Sequence, residues 1–474
     1  MTPMMTLQQA LQWIGTGRLV GDPLCSVDRV HTDTRTLQPG DLFLALKGEN
    51  HDANGLLEQA RAAGAAAVLC HAGSGLDRLN LPGIEVADSR AALARLSGGW
   101  RAQFKLPLIA VTGSNGKTTV TQMIASILRS WKPDAMLATE GNFNNEIGLP
   151  LTLLRLRAET QVAVVELGMN HPGEIARLAA LAGPTVALVN NAQREHQEFM
   201  ASVEAVAREN GAVIEALRPS GVAVFPQDDV YAPLWRNLAG ARPHLGFALL
   251  DGDGDASEAD VRGTRACWTD GRWRVQAATP CGSLEFSLGV AGRHNVRNAL
   301  AASACALAAG VPLEHIVRGL QGFEPVRGRS ATTRVLLGGR AIDLVDDSYN
   351  ANPDSVRAAI DLLAALPGPR LLVLGDMGEV GDQGPQFHRE AGLHARVAGI
   401  EQLFTLGPQS ALAGQAFGPG RHFADLEALT RALDEQLGAI GSVLVKGSRY
   451  MRMERVVAAI SQRAQREQEA SHAA

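Results

Sequence analysis

The segment VTGSNGKTTV, from Val111 to Val120, contains the residue types that a phosphate-binding loop needs. Small residues let backbone N–H groups close around phosphate oxygens, and the N-terminus of a following helix adds partial positive charge. Lys117 offers a point charge to the outer phosphates, and the hydroxyl of Thr118 is a ligand for Mg²⁺. We therefore predict a nucleotide-binding loop made of Gly113, Ser114, Asn115, Gly116, Lys117, Thr118 and Thr119.

The first position of this loop departs from the common patterns GxxxxGKS and GxxxxGKT. Those patterns need a glycine where this chain has Val111. An alternative interpretation is a plain glycine turn without a ligand. We favour a shorter phosphate loop, because the strand-like run LIAV precedes it and the helix-compatible run TTVTQMIASILRSW follows it.

Two further side chains follow strand-like runs of the same region. Glu166 ends QVAVVELG, and His196 follows TVALVNN. In an open parallel sheet, ligands bind beyond the carboxyl ends of the strands, so we expect Lys117, Glu166 and His196 to converge as catalytic residues. A carboxylate and an imidazole beside phosphates are suitable Mg²⁺ ligands. A histidine after a strand is more often an ordinary loop or core residue, and only the shared sheet edge favours the functional interpretation.

Amide groups gather at the start of a predicted helix in GRHNVRNALAASACALAAG. His294, Asn295 and Asn298 lie in its first turns. Capping of the helix by Asn295 is one interpretation. Contact with a purine base through amide donors and acceptors is the other, and the sequence does not decide between them.

Charged and turn-forming residues are dense in VDDSYNANPDSVRAAID. They include Asp346, Asp347, Tyr349, Asn350 and Asn352. These residues form either a capped loop or a binding surface. The guanidinium of Arg329, just before this segment, suits a phosphate or a carboxylate. Near the end, VKGSRYMRME carries Lys446, Ser448 and Arg449 directly after a strand, as either an anion site or a solvated charge cluster.

The hydrophobic pattern indicates that α/β domains position these residues. From Leu106 onwards, apolar runs of strand length alternate with helical segments, which is typical of a parallel sheet covered on both sides. A length of 474 residues suggests about three domains. We predict a small α/β domain over residues 1–105, a central parallel-sheet mononucleotide-binding domain over 106–328 and a Rossmann-like domain over 329–474. The runs WRVQAA and LEFSLGV predict an antiparallel appendage of the central domain, beside a turn region at 249–263.

Composition excludes several classes of function. A formal net charge of −5 offers no basic field for nucleic acid or an anionic membrane. The five cysteines lie far apart without a CxxC motif, which is typical of a reducing compartment. The N-terminus lacks a secretory pattern, and no apolar run approaches the roughly 20 residues of a membrane helix. We expect a cytoplasmic protein without nucleic-acid or membrane partners.

Taken together, these segments resemble the Mur ligases, the ATP-dependent amide-forming enzymes of peptidoglycan precursor synthesis. TGSNGKTT is similar to that family's own loop, which accounts for the absent glycine. The family order continues through EGNFNNEIGLP, VVELGMNHPGEI, GRHNVRNALAA, DDSYNANPDS, LGDMGEVG and KGSRYMRME, from about Ser26 to Val457. The resemblance implies ATP and Mg²⁺ as cofactors and an acyl phosphate as intermediate.

Two segments make the implied reaction more specific. DSYNANPDSVRAAI and LGDMGEVG are most similar to the family member that joins D-alanyl-D-alanine to UDP-N-acetylmuramoyl-tripeptide. We also expect the protein to be a monomer. A folylpolyglutamate synthase-like ligase is the nearest alternative, but such enzymes begin close to their phosphate loop. A catalytically silent nucleotide-binding protein is the alternative from another class.

The resemblance also implies roles for individual residues. The metal would be held by Thr118, Glu166 and His196, and the uridine diphosphate by Thr34 and Arg35. The nucleotide sugar would contact Asn142, Asn144 and Asn145, and adenine would contact His294, Asn295 and Asn298. ATP phosphates and ribose would contact Arg329 and Asp346 or Asp347. The remaining substrate contacts would come from Tyr349, Asn350, Asn352, Lys446, Ser448 and Arg449.

The sequence departs from the family pattern at two places. Asp52, Ala53 and Asn54 stand where the family usually has DGH. The family typically has a carbamylated lysine fourteen residues after the metal-binding histidine, and this position is Asn210 here. Because an amide cannot form a carbamate, we hypothesise that Glu209 supplies a carboxylate to the metal instead.

Overall fold

A computed structural model gives the fold of the chain and describes residues 3–48, 51–250, 258–337 and 339–473. The described residues form three separate β-sheets, which have five, nine and six strands in the order of the sequence. One further pair of strands forms a small two-stranded sheet. The predicted α/β fold class with parallel sheets is confirmed. The limits proposed for the three domains stay a prediction. Within the described residues, no helix combines the length and apolar character needed to cross a membrane.

The amino-terminal sheet has five strands in the order β2-β7-β6-β5-β4. The strands of this part of the chain are β1 Met5–Thr6, β2 Arg18–Val20, β3 Ser26–Val27, β4 Arg29–His31, β5 Asp41–Leu44, β6 Ala67–His71 and β7 Gly83–Val86. The helices are α1 Leu7–Ile14, α2 Leu57–Ala62 and α3 Ser89–Arg101. Strand β2 is antiparallel to β7, and the other neighbours are parallel.

The central sheet has nine strands in the order β16-β15-β14-β13-β12-β11-β8-β10-β9. They are β8 Leu108–Thr112, β9 Met136–Ala138, β10 Val162–Glu166, β11 Val186–Val189, β12 Val222–Pro226, β13 His244–Leu249, β14 Val261–Thr269, β15 Arg272–Thr279 and β16 Gly282–Leu288. The predicted antiparallel appendage is present as β14, β15 and β16. Of the predicted turn region 249–263, residues 251–257 lie outside the described residues.

Helices cover both faces of the central sheet. They are α4 Lys117–Trp131, α5 Gly148–Leu153, α6 Glu174–Ala182, α7 Val203–Glu215, α8 Ala232–Ala239, α9 Arg293–Ala308 and α10 Leu313–Gln321. Along β8, Ile109 and Val111 pack in the cluster that contains α4 and α9, whereas Leu108 and Ala110 pack in the cluster on the opposite face. Successive side chains of a strand point to opposite faces, so a strand covered on both sides must be apolar throughout.

The carboxyl-terminal sheet has six strands in the order β17-β18-β22-β19-β20-β21. They are β17 Ala331–Leu337, β18 Arg340–Asp347, β19 Arg370–Gly375, β20 Gln402–Leu406, β21 Arg421–Phe423 and β22 Ser442–Lys446. Its helices are α11 Pro353–Ala364, α12 Gly384–Val397, α13 Ala411–Phe417, α14 Leu426–Gln436 and α15 Glu454–Ala473. Among the described strands of this sheet, β17 is antiparallel to β18, and the other neighbouring strands are parallel.

Strand order brings three distant segments together at one edge of the central sheet. Strand β8 lies between β11 and β10, and all three run in parallel. Glu166, at the end of β10, is in register with Val111, and Val189, at the end of β11, is in register with Thr112. The phosphate loop and the segments after β10 and β11 therefore start side by side.

Candidate active site

A cavity of about 920 Å³ opens at this edge and is closed on another side by the carboxyl-terminal sheet. Most of the predicted site residues line it. They are Ser114, Asn115, Gly116, Lys117, Thr118, Thr119, Asn142, Asn144, Asn145, Glu166, His196, His294, Asn295, Asn298, Arg329, Asp347, Tyr349, Asn350, Asn352, Lys446 and Arg449. The predicted residues outside its lining are Thr34, Arg35, Gly113, Asp346, Ser448 and Glu209.

The Lys117 side chain folds back over the phosphate loop. Its Nζ donates to the carbonyl oxygens of Gly113 and Ser114, at 2.5 and 3.2 Å, and lies 3.2 Å from Glu195 Oε2. The ammonium is thus held at the loop and paired with one carboxylate. Since its hydrogen bonds to carbonyl oxygens are weaker than those to a phosphate, it can be transferred to an incoming phosphate oxygen.

Two asparagines after β11 hold the loop backbone from outside. Asn191 Oδ1 accepts from the Asn115 N–H at 2.9 Å, and Asn191 Nδ2 donates to the Asn115 carbonyl at 3.0 Å. Asn190 Nδ2 donates to the same carbonyl at 2.8 Å, and the Ser114 N–H donates to the Asn191 carbonyl. These hydrogen bonds from Asn190 and Asn191 hold the backbone of the short loop, which lacks the usual first glycine.

Asn190 also begins a buried chain of amides that reaches helix α9. Asn190 Nδ2 donates to Asn298 Oδ1, Asn298 Nδ2 to Asn295 Oδ1, and Asn295 Nδ2 to the Ala291 carbonyl. The capping interpretation of Asn295 is wrong, because Gly292 is the N-cap residue of α9 and no side chain caps it. Burial lowers the pKa of the nearby His294 imidazole, which favours its neutral form.

Gly116 is required where the amide chain meets the loop. Its φ is +79°, in the left-handed region that favours glycine. A Cβ at this position would lie 2.7 Å from Asn298 Oδ1 and 2.8 Å from Asn190 Nδ2. Only a residue without a side chain allows the loop and the two amides to approach this closely.

Asn210 and Glu209 both accept hydrogen bonds from backbone N–H groups in this structure. Asn210 is buried, and its Oδ1 accepts from Thr112 Oγ1 at 2.6 Å and from the Gly113 N–H at 3.0 Å. The Glu209 carboxylate accepts from the N–H groups of Gly173 and Ile175 at the start of α6, at 2.8 and 2.9 Å. This geometry gives the hypothesised metal role of Glu209 no support, because both carboxylate oxygens are used at a helix N-terminus outside the cavity.

Two buried carboxylates at the cavity each have a free oxygen. Glu166 Oε1 accepts from Asn144 Nδ2 at 2.7 Å, whereas Glu166 Oε2 is buried and has no hydrogen-bond partner among the described residues. Glu195 Oε2 faces Lys117, and Glu195 Oε1 is likewise buried without a hydrogen-bond partner in the part of the chain that the structure describes. Among the residues that the structure describes, no three His, Cys, Asp or Glu side chains form a complete metal-binding group. These free oxygens fit Mg²⁺, which binds one or two carboxylates and completes its shell with phosphate and water.

His196 joins the central part of the site to the carboxyl-terminal domain. Its backbone has a φ of +48°, and its Nδ1 lies 2.6 Å from Glu379 Oε2, in the segment after β19. The close approach of the His196 imidazole lowers the pKa of the Glu379 carboxyl. The Glu379 carbonyl also accepts from the Glu198 N–H at 3.3 Å. The imidazole is therefore oriented from across the cavity.

Other contacts across the cavity surround this pair. Arg194 forms a two-point ion pair with Asp354, with a closest distance of 2.7 Å, and another at 2.8 Å with Glu390. Asn352 Nδ2 donates to Asn115 Oδ1 at 2.9 Å, so the N-cap residue of α11 touches the phosphate loop directly. The two sheets therefore meet through polar side chains around the cavity.

The paired aspartates mainly organise their own domain. Asp346 accepts from the Gly328 N–H at 2.9 Å and from the Ser348 hydroxyl at 2.5 Å. Asp347 accepts from the Ser330 N–H at 2.9 Å and from Lys446 Nζ at 2.5 Å. These bonds shape the loop around residue 329. The predicted contact of Asp346 or Asp347 with ATP stays a prediction.

Thr34 and Arg35 lie in the amino-terminal domain, away from this cavity. The Arg35 guanidinium is 85% exposed and pairs with Asp33 at 2.7 Å, and Thr34 Oγ1 donates to Gln59 Oε1 at 3.4 Å. An exposed guanidinium beside hydroxyl groups is compatible with the predicted diphosphate contact. That role stays a prediction.

Sequence reasoning missed several residues of the site. Asn190, Asn191, Glu195 and Glu379 line the cavity. Arg194 does not line it but forms ion pairs with Asp354 and Glu390. The doubled asparagine directly after β11 is a signal that could have identified two of them, because polar residues at the carboxyl end of a parallel strand face the ligand crevice. The others depend on contacts between distant segments.

Asn191→Ala is expected to weaken ATP binding about 10-fold, because it removes two neutral hydrogen bonds that hold the Asn115 backbone. Isothermal titration calorimetry measures the Kd. The matched control is Asn237→Ala, at an exposed asparagine of α8 that does not line the cavity. An unchanged Kd in Asn191→Ala would show that the loop keeps its shape without this side chain.

Comparison with known proteins matches the chain to three family models. Residues 26–101 match the model described as Mur ligase family, catalytic domain. Residues 111–306 match the Mur ligase middle domain, and residues 333–449 match the Mur ligase, glutamate ligase domain.

Individual relatives are similar over nearly their whole length. The UDP-N-acetylmuramoyl-tripeptide--D-alanyl-D-alanine ligase of Escherichia coli strain K12 is 40% identical, over 97% of this chain and 98% of that protein. A crystal structure of MurF from Acinetobacter baumannii is 34% identical with a TM-score of 0.87, covering 96% and 98% of the two chains. The MurF ligase of Thermotoga maritima in complex with ADP is 25% identical with a TM-score of 0.80, covering 93% and 98%.

Proposed function

The chain belongs to the Mur ligase family, and from this premise we propose that it joins D-alanyl-D-alanine to UDP-N-acetylmuramoyl-tripeptide at the expense of ATP. The product is the UDP-N-acetylmuramoyl-pentapeptide used for peptidoglycan. The observation that carries the proposal is the 40% identity to a ligase of this name over 97% of the chain. The cavity supports it, because a phosphate loop there faces cationic groups from a second domain.

The reaction must overcome the poor reactivity of a carboxylate. A carboxylate oxygen of the tripeptide attacks the γ-phosphorus of ATP, ADP leaves, and an acyl phosphate forms. The dipeptide amine then attacks the acyl carbon, and inorganic phosphate leaves as the amide bond forms. Both steps bring anions together, so neutralising charge is the main task of the protein.

Several side chains of the cavity are suited to neutralising this negative charge. We assign the ATP phosphates to the backbone N–H groups of the loop and to Lys117, which exchanges the Gly113 and Ser114 carbonyls for phosphate oxygens. Glu166, Glu195 and Thr118 would hold Mg²⁺, with His196 beside them, and this ion would neutralise charge on the phosphates. Glu379 keeps the His196 imidazole in place.

The assignment of a nucleotide to this cavity is also supported by the comparison with known structures. The Thermotoga maritima relative was solved with ADP. We therefore assign ATP to this cavity, with the base toward His294, Asn295 and Asn298 and the phosphates at the loop. Each of these two amides retains an unused hydrogen or lone pair for the base.

We also propose that the enzyme works in the cytoplasm as a monomer. All five cysteines are free, which is compatible with a reducing compartment.

The proposed function predicts that phosphate release depends on both substrates. With UDP-N-acetylmuramoyl-tripeptide and D-alanyl-D-alanine together, release should exceed the rate with either one alone by at least about 100-fold, because the acyl phosphate turns over only when an amine attacks it. A coupled phosphate assay with mass spectrometry of the pentapeptide measures this. Folate with glutamate is the control pair, and turnover with that pair alone would contradict the proposal.

A further inference from the structure

Three consecutive residues after β11 each contact a different part of the molecule. Arg194 pairs with Asp354 at the start of α11. Its neighbour Glu195 lies 3.2 Å from Lys117 of the phosphate loop, and His196 faces the segment after β19. We propose that Arg194 is a positioning residue for the phosphoryl transfer, because its attachment to α11 keeps the Glu195 carboxylate against the Lys117 ammonium.

Arg194 binds Asp354 through its main chain as well as its side chain. The Arg194 N–H donates to Asp354 Oδ2 at 2.8 Å, and Arg194 Nη2 donates to Asp354 Oδ1 at 2.7 Å. Nη1 of the same guanidinium pairs with Glu390 Oε2 at 2.8 Å, and its Cζ lies 5.1 Å from the centre of the Phe387 ring. Because the N–H takes part, the Asp354 carboxylate fixes the main chain at residue 194 and not only the end of a long side chain.

The segment that contains Glu195 depends on contacts from outside it. Residues 190–202, all of which the structure describes, lie outside any helix or strand. His196 has a φ of +48°, which is unusual for a residue with a side chain. Such a backbone persists only where surrounding contacts fix it, and the Asp354 carboxylate is one of these contacts.

The same end of α11 also holds the phosphate loop. Asn352, the N-cap residue of α11, donates to Asn115 Oδ1 at 2.9 Å and accepts from Asn115 Nδ2 at 3.3 Å. Asp354 lies two residues further on, in the first turn of the helix. One helix end therefore contacts both the loop that carries Lys117 and the segment that carries Glu195. The position of this helix end sets the distance between the two charged groups.

The buried position of Glu195 needs support from its segment. Its side chain is only 5% exposed, and its Oε1 is buried without a hydrogen-bond partner among the described residues. A buried carboxylate with an unpaired oxygen is destabilised relative to one in water. Without the contact between Arg194 and Asp354, we therefore expect the Glu195 carboxylate to turn toward solvent. Lys117 would then lose its ion-pair partner and its fixed place over the loop.

Hydrogen exchange tests the positioning in the protein without ligands. In Arg194→Met, the amides of residues 194–200 should exchange at least about 10-fold faster than in the unmodified protein, whereas those of β8 should keep their rate. Arg194→Lys keeps the charge but lacks the fork that reaches both oxygens of Asp354, so its increase should be smaller. It also carries the test if Arg194→Met does not fold. Unchanged exchange at residues 194–200 would overturn the proposal.

The rate of phosphoryl transfer tests whether Arg194 acts through Glu195, and this measurement rests on the proposed function. ADP release from ATP and the tripeptide nucleotide is followed in a single turnover. Arg194→Met should slow it about 10-fold in the otherwise unmodified enzyme, but less than about 2-fold in an enzyme that already carries Glu195→Gln. An arginine with only a structural role would cause the same loss in both backgrounds, and that result would also refute the assignment.

Arg370→Met is the matched control. The Arg370 N–H and its Nη2 bind the Glu401 carboxylate in the same way, at 2.7 and 2.8 Å, but neither residue lines the cavity. This variant should keep the normal exchange at residues 194–200 and the normal rate of ADP release. Thermal melting of every variant separates a local effect from a loss of folding.

Failure of the proposed function would give a different result. If the unmodified enzyme releases no ADP with the tripeptide nucleotide, the assigned reaction is wrong. The exchange measurement uses no substrate, so it still decides whether Arg194 holds the segment that carries Glu195.

Discussion

Lys117→Met is expected to lower kcat by at least about 10³-fold and to leave the fold intact. The ammonium is the cation of the loop and lies over the Gly113 and Ser114 carbonyls, where the phosphates are expected. Without it, the negative charge that develops between the γ-phosphate and the carboxylate loses a direct neutralising contact. Methionine has a similar length, so the effect reports charge and not volume.

Formation of the acyl phosphate is the appropriate measurement. ADP release from ATP and the tripeptide nucleotide, followed in a single turnover without the dipeptide, isolates this first step. Lys105→Met is the matched control, because Lys105 is exposed and lies outside the cavity. If Lys117→Met releases ADP at a near-normal rate, the lysine has no role in the phosphoryl transfer.

The second large effect is expected for Glu166→Gln. Its free oxygen, Oε2, is buried at the cavity, and its other oxygen is held by Asn144. Glutamine preserves the shape and the contact with Asn144 but removes the charge that would hold Mg²⁺. We expect kcat to fall about 100-fold and the Mg²⁺ concentration for half-maximal ATP binding to rise about 10-fold.

Glu209→Gln distinguishes the two possible metal carboxylates. Because Glu209 accepts from the backbone at the start of α6, this substitution should reduce the free energy of unfolding by about 1 kcal/mol without changing the Mg²⁺ requirement. ATP binding measured over a Mg²⁺ titration gives the answer. A raised requirement in Glu209→Gln together with a normal one in Glu166→Gln would reverse the assignment.

Much of the fold followed from local patterns. Runs such as LIAV and QVAVVELG are buried on both faces as parallel strands, and TTVTQMIASILRSW forms helix α4. These predictions succeed because hydrophobic periodicity reflects how many faces of an element are covered. The same reasoning placed Lys117, Glu166 and His196 at one sheet edge, where the structure brings them together around the cavity.

The roles of individual polar groups were less predictable. Asn295 could cap a helix or contact a base. The structure places it in a buried amide chain and not at the helix cap, and the contact with a base stays a proposal. Glu209 was proposed as a metal ligand because it neighbours Asn210, but adjacent residues of a helix point about 100° apart. Its carboxylate therefore reaches α6 while the Asn210 amide reaches the phosphate loop.

The sequence by itself determined the α/β architecture and the kind of chemistry, because a phosphate loop and its strand and helix lie within one short segment. Only the tertiary structure decided which carboxylate keeps a free oxygen, which asparagines hold the loop, and which arginine pairs with the start of α11. The physical reason is separation along the chain. Asn115 and Asn352 form hydrogen bonds across 237 positions, and a pairing at that distance is set by the packing of whole domains.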